Sequence, residues 1–271
     1  MNEGMTLRQR RIFAADGRAV VVAADHGAIA GPLSGIESPE SLAALCARGG
    51  ADAVLAHRGF VRAALGGWGR GLGLVLRMSG GFTTLGGRFE EEPLGEAEDA
   101  VVWGADAAAI TVKFGHVREG EFIRNAARLI SGCERCGISV MIEAMAFKGG
   151  AQSLDAEALA IAVRAAEELG AAFIKAPLPE RPREFSRAIR GSHVPVLILG
   201  GEKLDSLEAF FGVIAGAMDD GAAGVAMGRN IWGQADAAGV LEATAGLVHG
   251  GWGVDAALEH LRERPGREIR T

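Results

Sequence analysis

Four lysines occur in the chain, Lys113, Lys148, Lys175 and Lys203, and every other permanently basic side chain is arginine. All four fall at or just past the end of an apolar, strand-like run: AAAITVK, VMIEAMAFK, AAFIK and VLILGGEK. Lysines kept for solubility scatter over exposed helices instead. A lysine held against apolar walls and other cations loses its proton more readily and becomes an amine nucleophile. That chemistry is Schiff-base formation with a carbonyl. Lys175, in AAFIK before Ala176-Pro177, is the first candidate. Burial and the neighbouring Lys203 are expected to favour its neutral form. The alternative is a second phosphate-binding cation, or a lysine reaching up to the rim.

Two carboxylates sit where they could serve such an amine. Asp25, in AADHG, follows an apolar run and could move a hydroxyl proton as a carbon–carbon bond breaks or forms. It could equally pair with Lys175 or cap the next loop. Glu143 interrupts MIEAMAF and shares strand parity with Met145 and Phe147, so the three line one face. If that face is interior, Glu143 is buried near Lys113 or Lys175, as a catalytic group or as a salt-bridge partner. His26 alternates with Asp25 and reads as structural. The segments GGEK and GRNIWG suit an anion: their glycines allow backbone N–H groups to approach phosphate, and Arg229 can grip two oxygens. Gly200, Gly201, Lys203, Gly228 and Arg229 are therefore the expected phosphate contacts, against plain turn glycines. The pair Cys133 and Cys136 has CxxC spacing but no second pair. His26, His57 and His116 lack HxH or HExxH spacing, so no metal and no cofactor is expected.

These residues need a frame that brings strand ends together. Eight strand-like runs alternate with helical patterns: Val20–Ala24, Ala53–Ala56, Gly73–Met78, Ala107–Val112, Ser139–Met145, Ala172–Ile174, Val194–Leu199 and Gly224–Met227. Helices are expected over Pro39–Ala47, Gly95–Trp103, Gly120–Cys136, Asp155–Leu169, Pro182–Arg190 and Leu204–Asp219. Two more, Ala235–Val248 and Val254–Arg262, follow. Glycine precedes several strands (GGADAVLA, GADAAAI, GISVMIE, GAAFIK, GAAGVAMG), where it accepts the left-handed end of a helix. Continuously apolar strands covered on both faces make a parallel sheet. Eight of them predict a single (β/α)8 TIM barrel over 1–271, with a core of about 18–234 and C-terminal helices over 235–262. An open sheet is the alternative. In a barrel the site lies at the C-terminal strand ends, which gather Asp25-His26, His57-Arg58, Arg77, Lys113, Phe147-Lys148, Lys175, Lys203 and Arg229. The loop Gly81–Gly87, GFTTLGG, reads as a lid.

At 271 residues and 49% hydrophobic content, one barrel-sized core suffices. The net charge of −6 argues against broad nucleic-acid binding but allows a local cationic pocket for a phosphorylated small molecule. No apolar run reaches the roughly 20 residues of a membrane span. The N-terminus has no apolar signal core, and three cysteines suit a reducing cytoplasm. The four tryptophans read as packing or oligomer contacts.

Taken in order, VVVAADHGAIAGPLSGIESP, GADAVLAHRG, LRMSG, GADAAAITV, GAAFIKAP, VPVLILGGEK and GAAGVAMGRNIWGQ resemble the archaeal-type class I fructose-bisphosphate aldolases and their DeoC/LacD-like relatives, from about Val20 to Gln234. That group includes 2-amino-3,7-dideoxyheptulosonate synthases and the aldolase-like thiolases of autoinducer-2 breakdown. The resemblance implies a phosphorylated ketose-type substrate, Lys175 as the Schiff-base lysine and Asp25 as the acid/base at the hydroxyl. It also implies phosphate at Gly200, Gly201, Lys203, Gly228 and Arg229, and assembly into a decamer or another ring. His26, His57, Lys113 and Phe147 then line the substrate. One departure stands out. The family places a proton-shuttling tyrosine where this chain has Phe147, and the chain contains no tyrosine. Glu143, Lys148, Lys113 or a water would have to carry that proton. The expected activity is a metal-independent class I aldolase or transaldolase acting on a ketose phosphate such as a dihydroxyacetone-phosphate adduct. The rival readings are a thiolase acting on a phosphorylated diketone, a metal-dependent aldolase, or a non-catalytic sugar-phosphate-binding barrel.

Overall fold

The computed structural model describes residues 2–86 and 89–264. Eight parallel strands form its centre: β1 (Ala19–Ala23), β2 (Ala53–Ala56), β3 (Gly73–Arg77), β4 (Ala107–Phe114), β5 (Ser139–Lys148), β6 (Phe173–Ala176), β7 (Val196–Leu199) and β8 (Gly224–Met227). Each pairs with its sequence neighbours, β1 pairs with β8, and β4 pairs with β5, so the sheet closes on itself. This is a TIM barrel, not the open sheet.

Alternation along the strands explains why they read as continuously apolar. One face of each strand points inward and builds Val21, Leu55, Val75, Ala109, Met141, Phe173 and Leu197 into the interior. The other face carries Val20, Val54, Leu74, Ala108, Ile142, Ile174 and Val225 against the surrounding helices. Both faces are buried, so neither tolerates polar residues low in the barrel. Phe13 closes the bottom, its ring edge-on to Phe173 at 5.2 Å.

The expected helix-ending glycines hold. Gly50, Gly104, Gly137, Gly170 and Gly221 all have positive φ, between +68° and +101°. Two of them open a GAD sequence with a second purpose. Asp52 accepts a hydrogen bond from Val20 N–H at 2.7 Å, and Asp106 accepts one from Leu74 N–H at 3.0 Å. Each carboxylate thereby ties the start of its own strand to the strand before. Asp106 also takes Arg11 Nε at 2.6 Å, which fastens the N-terminal segment under the barrel.

Several boundaries differ from the sequence reading. β4 runs on through Lys113, β5 through Lys148, and β6 through Lys175. These lysines are strand residues with a fixed facing, because apolar neighbours do not mark where the ladder ends. The helix expected from Gly95 is shorter, Ala97–Val102, and the one expected from Leu204 begins at Leu207 after Ser206 caps it. Pro182–Arg190 resolves into a 3-10 turn, Pro182–Glu184, and a short helix, Phe185–Ile189. Short helices at Glu3–Gln9, Gly27–Ala30, Arg58–Ala64 and Arg229–Trp232 escaped the pattern reading, since few turns give little periodicity. The stretch after β3 is a hairpin, with Ser79–Gly80 antiparallel to Glu92–Pro93. Gly87, the end of the expected lid, lies outside the described residues.

Asp106→Ala removes the acceptor for a buried N–H and for Arg11. The expected loss is about 1–3 kcal/mol of unfolding free energy, measured by urea denaturation, with activity at low temperature retained because Asp106 lies at the opposite end from the candidate site.

Candidate active site

Above the apolar layers, the next inward positions turn polar together. Arg77 on β3, Thr111 on β4, Glu143 on β5 and Lys175 on β6 all point into the barrel, as the register pairs Thr111 with Glu143 and Glu143 with Lys175. Glu143 is the hub. One oxygen lies 2.8 Å from Lys175 Nζ and the other 2.7 Å from an Arg77 nitrogen. Thr111 donates its hydroxyl to the second oxygen at 2.8 Å and is itself held by Arg77. Burial opposes the charge on Glu143, but Lys175 and Arg77 outweigh it and hold the carboxyl well below the ordinary 4.5. Burial likewise opposes the charge on Arg77, and Glu143, Glu91 and Asp25 more than restore it. Glu143 is therefore a fixed anion at neutral pH.

Asp25 stands across the mouth at the end of β1. Its oxygens lie 3.4 Å from His26 Nδ1 and 3.9 Å from Arg77 Nε, and it makes no ion pair with Lys175. One carboxylate thus remains loosely engaged while the other is locked. Burial lowers the pKa of both His57 and His26 despite the pull of Asp25, so both rings are neutral near pH 7. His26 packs edge-on against Trp232 at 5.5 Å, and Trp232 donates to the Ala23 carbonyl at 2.9 Å. Lys175 and Arg229 both act to lower the pKa of His26, and the His26 ring packs close to Gly228.

Those loops are shaped for close approach. Arg229 donates to the Gly201 carbonyl at 2.7 Å, while its Nε is buried and has no partner among the described residues. Gly201 needs its positive φ of +57°. At Gly228 a side chain is excluded outright, because a Cβ there would stand 2.4 Å from the Ala23 oxygen and 2.9 Å from His26. Asn230, which the sequence reading passed over, shapes the β7 loop. It accepts from Leu204 N–H and donates to the carbonyls of Gly200 and Glu202, each at 2.9 Å.

Lys175, Glu143, Asp25, His26 and His57 therefore converge, with Gly200, Gly201, Gly228 and Arg229 beside them. Two expectations change. Lys203 lies exposed on the loop and donates to the Gly233 carbonyl at 2.8 Å; the partner of Lys175 is Glu143. Lys148 alternates with Phe147 at the end of β5 and is exposed, so strand parity takes it away from the cluster. Lys113 and Phe147 sit higher in the barrel, with Lys113 Nζ 5.8 Å from the Phe147 ring. Arg77 was visible as a strand-end residue but gave no hint of its role. Glu91 gave no signal at all, because a run of three glutamates reads as a solvated face, yet it is buried and pairs with Arg77 at 3.2 Å.

Residues 19–234 match the DeoC/LacD family aldolases. The chain belongs to that family. Its enzyme class is accordingly the aldolase class that works through a lysine imine. The chain is 33% identical to the 2-amino-3,7-dideoxy-D-threo-hept-6-ulosonate synthase of Halobacterium salinarum, over 94% of this chain and 95% of the relative. It is 32% identical to the 3-hydroxy-5-phosphonooxypentane-2,4-dione thiolase of Klebsiella pneumoniae, over 98% and 88%. Among solved structures, a Schiff-base-forming fructose-1,6-bisphosphate aldolase superposes with a TM-score of 0.82 at 30% identity, covering 90% of this chain and all of its own.

Replacing Glu143 by leucine strands two buried cations and is expected to cost about 3–5 kcal/mol of stability by urea unfolding. Glu143→Gln gives the pH signature. A carboxyl depressed in the fold stabilises fully above its unfolded value and loses that contribution as pH falls, so the gap between wild type and Glu143→Gln should hold from pH 7 down to about 4.5 and narrow below it.

Proposed function

We propose that the protein is a class I aldolase or transaldolase that makes or breaks a carbon–carbon bond in a phosphorylated ketose, with Lys175 as the imine-forming residue. The observation that carries this is the buried Lys175 amine on the inner face of β6, 2.8 Å from the fixed carboxylate of Glu143 in a chain of this family. An amine placed there attacks a ketone from inside the barrel. Loss of water leaves an iminium, whose positive charge lies beside Glu143. The iminium draws electrons from the adjacent bond. Asp25, loosely held across the mouth, moves the hydroxyl proton as that bond breaks, and an aldehyde or a proton captures the enamine. Glu143 is better suited to counter-ion than to proton shuttle, because it stays ionised.

Gly200, Gly201, Gly228 and Arg229 are proposed to hold the phosphate, with Lys203 swinging from its backbone partner to join them. The unpartnered, buried Arg229 Nε supports this, since a buried N–H without an acceptor is costly. His26 and His57 would line the substrate between the two ends. A single-domain, cytoplasmic enzyme assembled as a ring of copies completes the reading.

The similarity to a diketone-phosphate thiolase favours a second reading, in which the same lysine activates a diketone and a thiol accepts the acyl group. Assay with coenzyme A separates the two.

Borohydride treatment with dihydroxyacetone phosphate should leave a reduced adduct on Lys175, located by peptide mass spectrometry. Lys175→Ala should abolish it and lower kcat at least about a thousandfold. An adduct on another lysine moves the site, and none across several ketose and diketone phosphates overturns the imine reading. Arg229→Met should raise KM for the phosphorylated ketone by about tenfold to a hundredfold, with a smaller change in kcat.

A further inference from the structure

Lys113 has no solvent exposure. No carboxylate among the described residues lies within ion-pair distance of its Nζ. Four phenylalanine rings surround the amine instead: Phe89 at 3.5 Å, Phe122 and Phe147 each at 5.8 Å, and Phe82 at 6.0 Å. Its hydrogen-bond acceptor is the Phe89 carbonyl. Burial pushes the amine down to about 8, against the pull of Glu91, Glu90 and Glu143 and with the push of Arg118. His116 and Arg118 also border the box, the His116 ring 5.2 Å from Phe147 and 5.5 Å from Phe122, and Arg118 5.5 Å from the Phe122 ring.

A strut or gap-filler at this point does not call for an amine. Methionine or leucine would fill an aromatic box without the cost of desolvating a charge, which ring faces offset only in part. Position supplies the reason. Lys113 follows Thr111 by two residues on the inner face of β4, about 7 Å further up the strand, and Thr111 binds the same Glu143 that holds Lys175. The box therefore stands on the same inner face as Thr111, one inward position above the layer that holds Glu143 and Lys175. Phe147 forms one wall and has no hydroxyl to offer.

We propose that Lys113 is a second working amine of this barrel, carrying protons to and from the carbonyl oxygen of the substrate while Lys175 binds the carbonyl carbon. This deepens the reading of Lys175 as the imine former and rests on it. When Lys175 adds to the ketone as the free amine, the oxygen gains a proton and the nitrogen loses one, giving the neutral carbinolamine. The Lys113 ammonium then protonates that hydroxyl. The carbon–oxygen bond breaks, water leaves, and the nitrogen lone pair closes the iminium. Lys113 is left as a neutral amine. One positive charge has moved from Lys113 to the Lys175 nitrogen beside Glu143, and the total is unchanged. During product release, attacking water gives its proton back to Lys113.

The test is the pH dependence of Lys175 adduct formation, by rapid borohydride trapping and peptide mass spectrometry, in wild type, Lys113→Met and Lys113→Arg. The wild-type rate should fall as pH rises through about 8. Lys113→Met should be slower by roughly a hundredfold or more and should lack that limb. Lys113→Arg keeps a cation and donor but does not release a proton near neutral pH, so it should behave like the methionine variant. Full rescue by arginine, or an unchanged rate and limb in Lys113→Met, overturns the proposal and leaves the Lys175 reading standing. Absence of any wild-type Lys175 adduct instead removes the reading beneath it. Should the methionine variant not fold, the arginine variant and the wild-type limb decide alone, a missing limb counting against the proposal.

Discussion

The Glu143 carboxylate, gripped by Lys175 and Arg77 in the middle of the barrel, governs the rest of the upper interior. Three charged side chains inside a sheet are tolerated only when each oxygen and nitrogen has a partner. Thr111 supplies one, and Glu91 supplies another to Arg77 from the segment after β3. The hairpin that delivers Glu91 is thus part of the electrostatic balance of the site and not merely a cover. Removing any member leaves another charge buried without compensation, which is why the group is best regarded as one unit.

That balance sorts the acidic groups by duty. Glu143 is fixed as an anion, which in the proposed reaction suits it to stabilise the iminium on Lys175. Asp25 is held only at longer range by His26 and Arg77, the looser engagement on which its proposed role rests. Lys113, in its aromatic box, is the contrasting case of a cation with weak support. The two amines, on β4 and β6 with β5 between them, thus have different surroundings, a carboxylate for one and phenylalanine rings for the other.

The backbone does comparable work at the other side of the mouth. Gly228 is required because the end of β8 presses on Ala23 and His26, and Asn230 fixes the Gly200–Leu204 loop through three backbone groups. The loop is shaped before any anion arrives. Among the described residues the buried Arg229 Nε–H has no acceptor, an uncommon arrangement that a bound anion would relieve.

The sequence by itself determined the barrel, because eight short apolar runs separated by helices and punctuated by left-handed glycines admit few other folds. It also put Glu143, Met145 and Phe147 on one face, since strand parity is fixed once the strand is recognised, and it marked Lys175, Asp25 and the two glycine loops by their places at strand ends; that this face is the interior came from the closed barrel. Tertiary structure alone decided who meets whom. Asp25 faces Arg77 and not Lys175; Lys203 reaches backbone; Lys148 turns away where Phe147 turns in. Glu91 enters the site from a run of three glutamates that the sequence did not single out, and Lys113 gains its box from rings at positions 82, 89, 122 and 147. Periodicity reports only which side of its own element a residue occupies. Partnership across the barrel depends on register, closure and the path of the hairpin after β3, which arise from contacts far apart in the chain.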